Sequence, residues 1–178
     1  MPTRIAPDNP LRRMFSGLVE QVFMSDLGIC SVEVTTYISD ILVDFIHVDH
    51  IHRLRTVDGA SIRELSRMEA DAYVGPESNE KLRAWLIHKH IGDFTLFWTG
   101  VYPENLNRRR SGGDAMREYL LQGKRSYGIA SELTDSGSCP SAAVLRNLGE
   151  QFEYCVHGLH KVREGWEQLR ADAGPTKP

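Results

Sequence analysis

Ile91-Gly92-Asp93-Phe94-Thr95-Leu96-Phe97-Trp98-Thr99-Gly100-Val101-Tyr102 is the most apolar stretch of the chain, and its reading decides the fold. It is short for a membrane span, which needs about 20 predominantly apolar residues, and Gly92, Asp93, Thr95 and Thr99 interrupt it. Followed backwards it meets Leu82, Leu86 and Ile87 at helical spacing. Leu82, Leu86, Ile87, Phe94, Phe97, Trp98 and Val101 then form one broad apolar arc of a helix that opens at Ser78 and stops at Pro103. Trp85 and Leu96 project away from the centre of that arc. A helix apolar nearly all round is central in its bundle or shared with a partner, and the central position is the better reading.

The flanking segments repeat the helical period. Asn9-Pro10 is a start signal, with Asn as cap and Pro in the first turn. Leu11, Met14, Phe15, Leu18, Val19, Val22 and Phe23 follow, and Gly28 is a stop. Ser31 caps a second helix, with Glu33 in its first turn and Val34, Tyr37, Ile38, Ile41, Leu42, Phe45 and Val48 as its stripe. Asp58-Gly59 is a turn, and Ser61-Ile62-Arg63-Glu64 is a capping box for a short helix to Tyr73. Downstream, Asp114 caps a fifth helix carrying Met116, Tyr119, Leu120, Tyr127, Ala130 and Leu133, with Gly123 on the apolar face. After Pro140 one long last helix bears Leu145, Leu148, Phe152, Cys155, Val156, Leu159, Val162, Trp166 and Leu169. At about 1.5 Å per residue it measures roughly 45 Å, long enough to overhang the domain. Glycines 92, 100, 128, 149, 158 and 165 interrupt helices at a cost of about 1 kcal/mol each, whereas Gly123 could recover that cost through close approach of a neighbouring helix.

The expected fold class is all-α, a single-domain bundle of about five to six helices. Residues 1–9 read as a flexible arm, 10–170 as the bundle and 171–178 as a flexible tail. The 178 residues suffice for one core, and 41% hydrophobic with 25% charged residues is globular rather than disordered composition. A net charge of -3 argues against a nucleic-acid partner. Cys30, Cys139 and Cys155 are odd in number and widely spaced, which suits a reducing compartment. With no signal-peptide pattern and no membrane-spanning run, cytoplasmic is the expected location.

Seven histidines are the first candidates for chemistry. His157 and His160 fall away from the stripe of the last helix and should face water. Asp40, Asp44 and His47 share the outer face of the second helix and read as a solvated acid–histidine face. Asp49 and His52 continue the inner stripe of that helix, and His90 lies near the middle of the arc formed by Leu86, Phe94, Phe97 and Val101. Polar groups placed there need partners, and the three could supply one another. Either they are a fraying helix end plus a core histidine, or they form a buried site for a divalent metal such as Zn or Fe. No HExxH, paired ExxH or HD signature accompanies them, and no GxSxG elbow is present. Cys155 lies on an apolar stripe and reads as core, while Cys139 sits beside Pro140 at a helix start, where a thiol pKa can fall. Arg108-Arg109-Arg110-Ser111-Gly112-Gly113 leads into a helix N-terminus and could hold an anion or a nucleic-acid backbone.

The leading reading is a helical binding or protein-interaction domain rather than an enzyme, with Trp166 and Leu169 as the expected interface, including that of a homodimer. The alternatives are a small metal-dependent hydrolase or metal-binding protein using Asp49, His52 and His90, and anion binding through Arg108, Arg109 and Arg110.

Overall fold

The computed structural model describes residues 9–52, 80–106 and 112–174, and the side chains of all of these except 47–52 and 112–114. Helix α1 (Pro10–Glu20) runs into a π-helical turn (Gln21–Asp26) and is followed by α2 (Val32–His52). Then come α3 (Glu80–Val101), the one-turn α4 (Pro103–Leu106), α5 (Gly112–Leu133), α6 (Ala142–Glu150) and α7 (Phe152–Asp172). Among the described residues there is no strand, and the fold is an all-α single-domain bundle. No described helix is long and apolar enough to cross a membrane. The Asp58-Gly59 turn, the capping box at 61–64, the helix to Tyr73, Ser78 and the Arg108–Arg110 loop lie outside the described residues.

Local start and stop signals act as the side-chain chemistry requires. The Asn9 side chain accepts a hydrogen bond from the Leu11 N–H at 2.9 Å, with Pro10 in the first turn. Ser31 accepts from the Val34 N–H and Ser141 from the Val144 N–H, each at 3.4 Å. Gly28 takes φ 71°, a conformation open to glycine after the π turn. At the far end of α3 the free Val101 carbonyl receives the Arg163 guanidinium at 2.6 Å. Arg163 also binds the Glu104 carboxylate at 2.8 Å and lies over the Tyr102 ring, so α7 is stapled to the end of α3.

Helix α3 is central, packing against α2, α4, α5 and α7. Its deepest face differs from the expected apolar arc. Ile91, Gly92, Thr95, Leu96, Thr99 and Gly100 are buried, whereas Leu82, Leu86 and His90 are exposed and Phe94 and Trp98 are half-buried. The reason is contact distance. A Cβ on Gly92 would stand 2.6 Å from the Tyr127 ring of α5, one on Gly100 2.6 Å from Leu159 Cβ of α7, and one on Gly123 2.3 Å from Phe152. The neighbouring helices therefore come in along the line of small residues; of the expected arc, Phe97 and Val101 remain buried while Leu82, Leu86, Phe94 and Trp98 lie further out. Thr95 and Thr99 can be fully buried because their hydroxyls donate back to Ile91 O and Thr95 O, each at 2.7 Å.

The glycines at 92, 100 and 158 are thus close-approach positions like Gly123, not signs of weak helices; Phe23 fills the space over Gly158. The long last helix is also corrected. It breaks at Gln151, where φ -106° and ψ 26° leave the helical region between α6 and α7. Hydrogen bonds from Gln151 N to Asn147 O and from Cys155 N to Gln151 O, both at 2.9 Å, carry the chain round the bend. Phe152 then lies on Gly123 and Tyr127.

Two alanine substitutions separate these roles. Gly100→Ala sets a methyl against Leu159 and should lower stability by about 1–3 kcal/mol. Gly128→Ala, with nothing within 4 Å of the new Cβ, should raise it by about 0.5–1 kcal/mol. Urea unfolding of both variants checks the signs; a stabilised Gly100→Ala would refute the close-approach account.

Candidate functional site

Asp93 follows Gly92 on the inner side of α3 and is only 5% exposed. An ionised carboxylate in such a place must be given donors, since burial without them costs several kcal/mol. Three arrive from three directions. The Tyr37 hydroxyl of α2 donates to Oδ1 at 2.7 Å, and the Tyr127 hydroxyl of α5 donates to the same oxygen at 2.9 Å. Lys89, one turn earlier on α3, donates to Oδ2 at 2.7 Å. The lysine also lies over the Tyr37 ring, 5.2 Å from its centre, and is the member of the group that reaches solvent, at 25% exposure.

The tyrosines are held as neutral donors. Burial first, and then the Asp93 charge, push both phenols well above their ordinary value. At the rim, Asp40 of α2 is ion-paired with Arg12 of α1. Asp44, one turn beyond Asp40, has its carboxyl raised by partial burial and then by the Asp40 charge, against the pull of Lys89 and Arg12. The face bearing Asp40 and Asp44 is therefore the flank of a polar junction rather than the plain solvated face expected from the sequence.

The sequence-derived candidates are placed as follows. His90 is exposed; its ring stacks on Phe45 of α2 at 6.0 Å and lies 6.4 Å from Phe94. The histidine that goes inside is His88, two residues earlier, at 1% exposure. Asp49 and His52 fall within α2, but their side chains lie outside the described residues, as do Arg108, Arg109 and Arg110. Among the described residues no three metal-binding side chains converge. His157 is exposed and His160 half-buried, its pKa lowered by burial and then by His157 and Arg163. Cys155 is buried, which pushes its thiol up to about 12, and Cys139 is exposed. Trp166 is half-buried edge-on to Phe15 at 5.3 Å, so much of its ring is used within the chain, while Leu169 is exposed.

Sequence reasoning treated Asp93 as an interruption of an apolar run and missed the junction. The signal was present: a carboxylate in the least polar stretch of the chain needs partners. Chemically, the junction has little to spare. Both carboxylate oxygens are engaged, Oδ1 by the two phenols and Oδ2 by Lys89. The arrangement ties α2, α3 and α5 together in one register. Comparison of the chain with known protein families, with curated proteins and with solved structures finds no match.

Two results should follow. Tyr37→Phe and Tyr127→Phe each remove a donor from a buried charge and should cost about 1.5–3 kcal/mol by denaturant unfolding; losses near zero would show that Asp93 is satisfied in another way. Asp44→Asn should act in the opposite direction. Because the folded state holds the Asp44 proton more tightly than the unfolded chain, stability falls as pH rises from the ordinary value of 3.8 through the raised one. Asn at 44 should thus add a few tenths of a kcal/mol at pH 7, an increment that fades below that window. A gain that is independent of pH would overturn the assignment.

Proposed function

We propose that the protein is a helical interaction module whose binding surface lies on the first turns of α3. The observation that carries this reading is the pair Leu82 and Leu86, 55% and 51% exposed on successive turns of one helix. Val32, Leu121, Tyr154 and Leu169 are also exposed, but Val32 and Leu121 each stand alone on a helix and Tyr154 and Leu169 lie at opposite ends of α7, and isolated apolar residues need no explanation. His90 continues the Leu82–Leu86 line by one further turn and joins it to the half-buried rings of Phe45 and Phe94. Spacing at i, i+4 and i+8 is the pattern with which helices read one another in a groove. The saturated Asp93 junction favours the same reading, since its groups are engaged in holding the bundle.

The experiment places a photo-reactive residue at 86 and, as a control, at the exposed position 132, in the full chain. Association should be seen as self-association in sedimentation or as a discrete adduct from position 86 and not from 132. It should be lost in the Leu82→Ser/Leu86→Ser double variant, whose stability should stay within about 1 kcal/mol of wild type. A double variant that melts more than about 2–4 °C lower would make the leucines structural and end this reading, as would adducts no stronger from 86 than from 132.

A further inference from the structure

Leu82 and Leu86 lie on the same stripe of α3 as Lys89, Asp93 and Phe97. Helix α2 covers that stripe from Lys89 onward. Tyr37 closes over Lys89 and Asp93, and Phe45 over His90, Phe94 and Phe97. On the first turns of α3 the same stripe carries leucines into solvent. The edge of the crossing is acidic. Asp40 is matched by Arg12 and Asp93 by Lys89, and these two cations are also the ones that act on Asp44. Three carboxylates thus share two cations, and the third, Asp44, is exposed and stands one residue before Phe45, whose ring stacks on His90. Glu80 adds an acid at the start of α3, and Arg83 stands on the flank of the ridge.

We infer that this ridge receives a basic amphipathic helix of a partner protein, which seats apolar side chains on Leu82 and Leu86 and a lysine or arginine on Asp44. The inference rests on the interaction-module reading and gives it a partner chemistry. The leucines supply apolar contact without charge preference; Asp44, which is ion-paired with no cation among the described residues, supplies the sign. A cation delivered there would restore the balance of the junction. An acidic helix would add a fourth carboxylate to it.

The test titrates three synthetic peptides into the full chain: a helical Leu/Lys amphipathic peptide, the same composition in shuffled order, and a Leu/Glu amphipathic peptide. Leucine methyl spectra locate binding, and fluorescence anisotropy measures affinity. The Leu/Lys peptide should bind, with the largest shifts at Leu82 and Leu86. Leu86→Glu should weaken it at least about tenfold, the loss expected for removing an interface anchor. Asp44→Asn should weaken it by about threefold to tenfold and flatten its salt dependence, as loss of a rim charge does. Equal binding of the shuffled peptide, shifts away from the ridge, or indifference to Asp44→Asn would each overturn the inference. If the Leu/Glu peptide binds the same leucines, or the free chain self-associates through Leu86, the basic helix is wrong and the interaction module stands. If Leu82 and Leu86 are shielded from a soluble paramagnetic probe in the free protein and respond to no peptide, both fail.

Discussion

A carboxylate in the middle of a central helix has to be supplied with donors, and the bundle is arranged around that requirement. Asp93 is reached by Tyr37 from α2, by Tyr127 from α5 and by Lys89 from its own helix. The residue before it is part of the same solution. The Tyr127 ring lies where a Cβ at position 92 would be, so glycine there lets the ring come flat against the α3 backbone and its hydroxyl reach the acid. Gly92 and Asp93 therefore act as one unit: the first admits the side chain that the second needs. Such a junction contributes orientation more than net stability, because bringing the charge inside offsets much of what its hydrogen bonds return.

The same logic of close approach explains the rest of the packing. Where α3, α5 and α7 meet one another, glycine stands against a ring, a leucine or a back-bonded threonine: Gly92 of α3 with Tyr127, Gly100 of α3 with Leu159, and Gly123 of α5 with Phe152 of α7 and Thr95 of α3. Helices that approach this closely bury more of each large side chain per turn than two bulky faces could. Each glycine gives up roughly 1 kcal/mol of helix propensity, which is less than the contact energy of one fully buried aromatic or leucine side chain. The consequence for α3 is that Phe94 and Trp98 are displaced to the flank, where Phe45 and Tyr119 cover Phe94 only in part.

That displacement separates what was legible in the sequence from what was not. Helical period, the caps at Asn9 and Ser31, the stop at Gly28 and the central place of α3 all follow from local chemistry, and local chemistry is written in a single segment. The depth of each face is not, because it depends on what the facing helix offers. Weighting residues by hydrophobicity centred α3 on the line of Leu86, His90, Phe94 and Phe97, and so put His90 inside and left His88 unnoticed. Weighting by small size would have centred it on Gly92, Leu96 and Thr99. The bend at Gln151 was hidden for a similar reason: the apolar stripe continues through it without a break, and neither proline nor a positive-φ glycine marks the spot. Asp93 was visible as an anomaly, but its three donors come from helices whose arrangement one segment cannot reveal.

The contrast between the two polar features at the α2–α3 crossing bears on function. At Asp93 both carboxylate oxygens have internal donors, in two tyrosine hydroxyls and one lysine, which fits a junction that holds helices in register. At Asp44, one helix away, an exposed carboxylate shares the cations that Asp40 and Asp93 already hold, and the next residue, Phe45, stacks on His90 of the helix that carries the open leucines. A fold that meets the demands of a fully buried acid, yet carries an under-compensated acid and two bare leucines at its edge, has its unmet interactions at the surface. Unmet interactions of both kinds, apolar and anionic, side by side on one helix crossing are what a docking partner would complete.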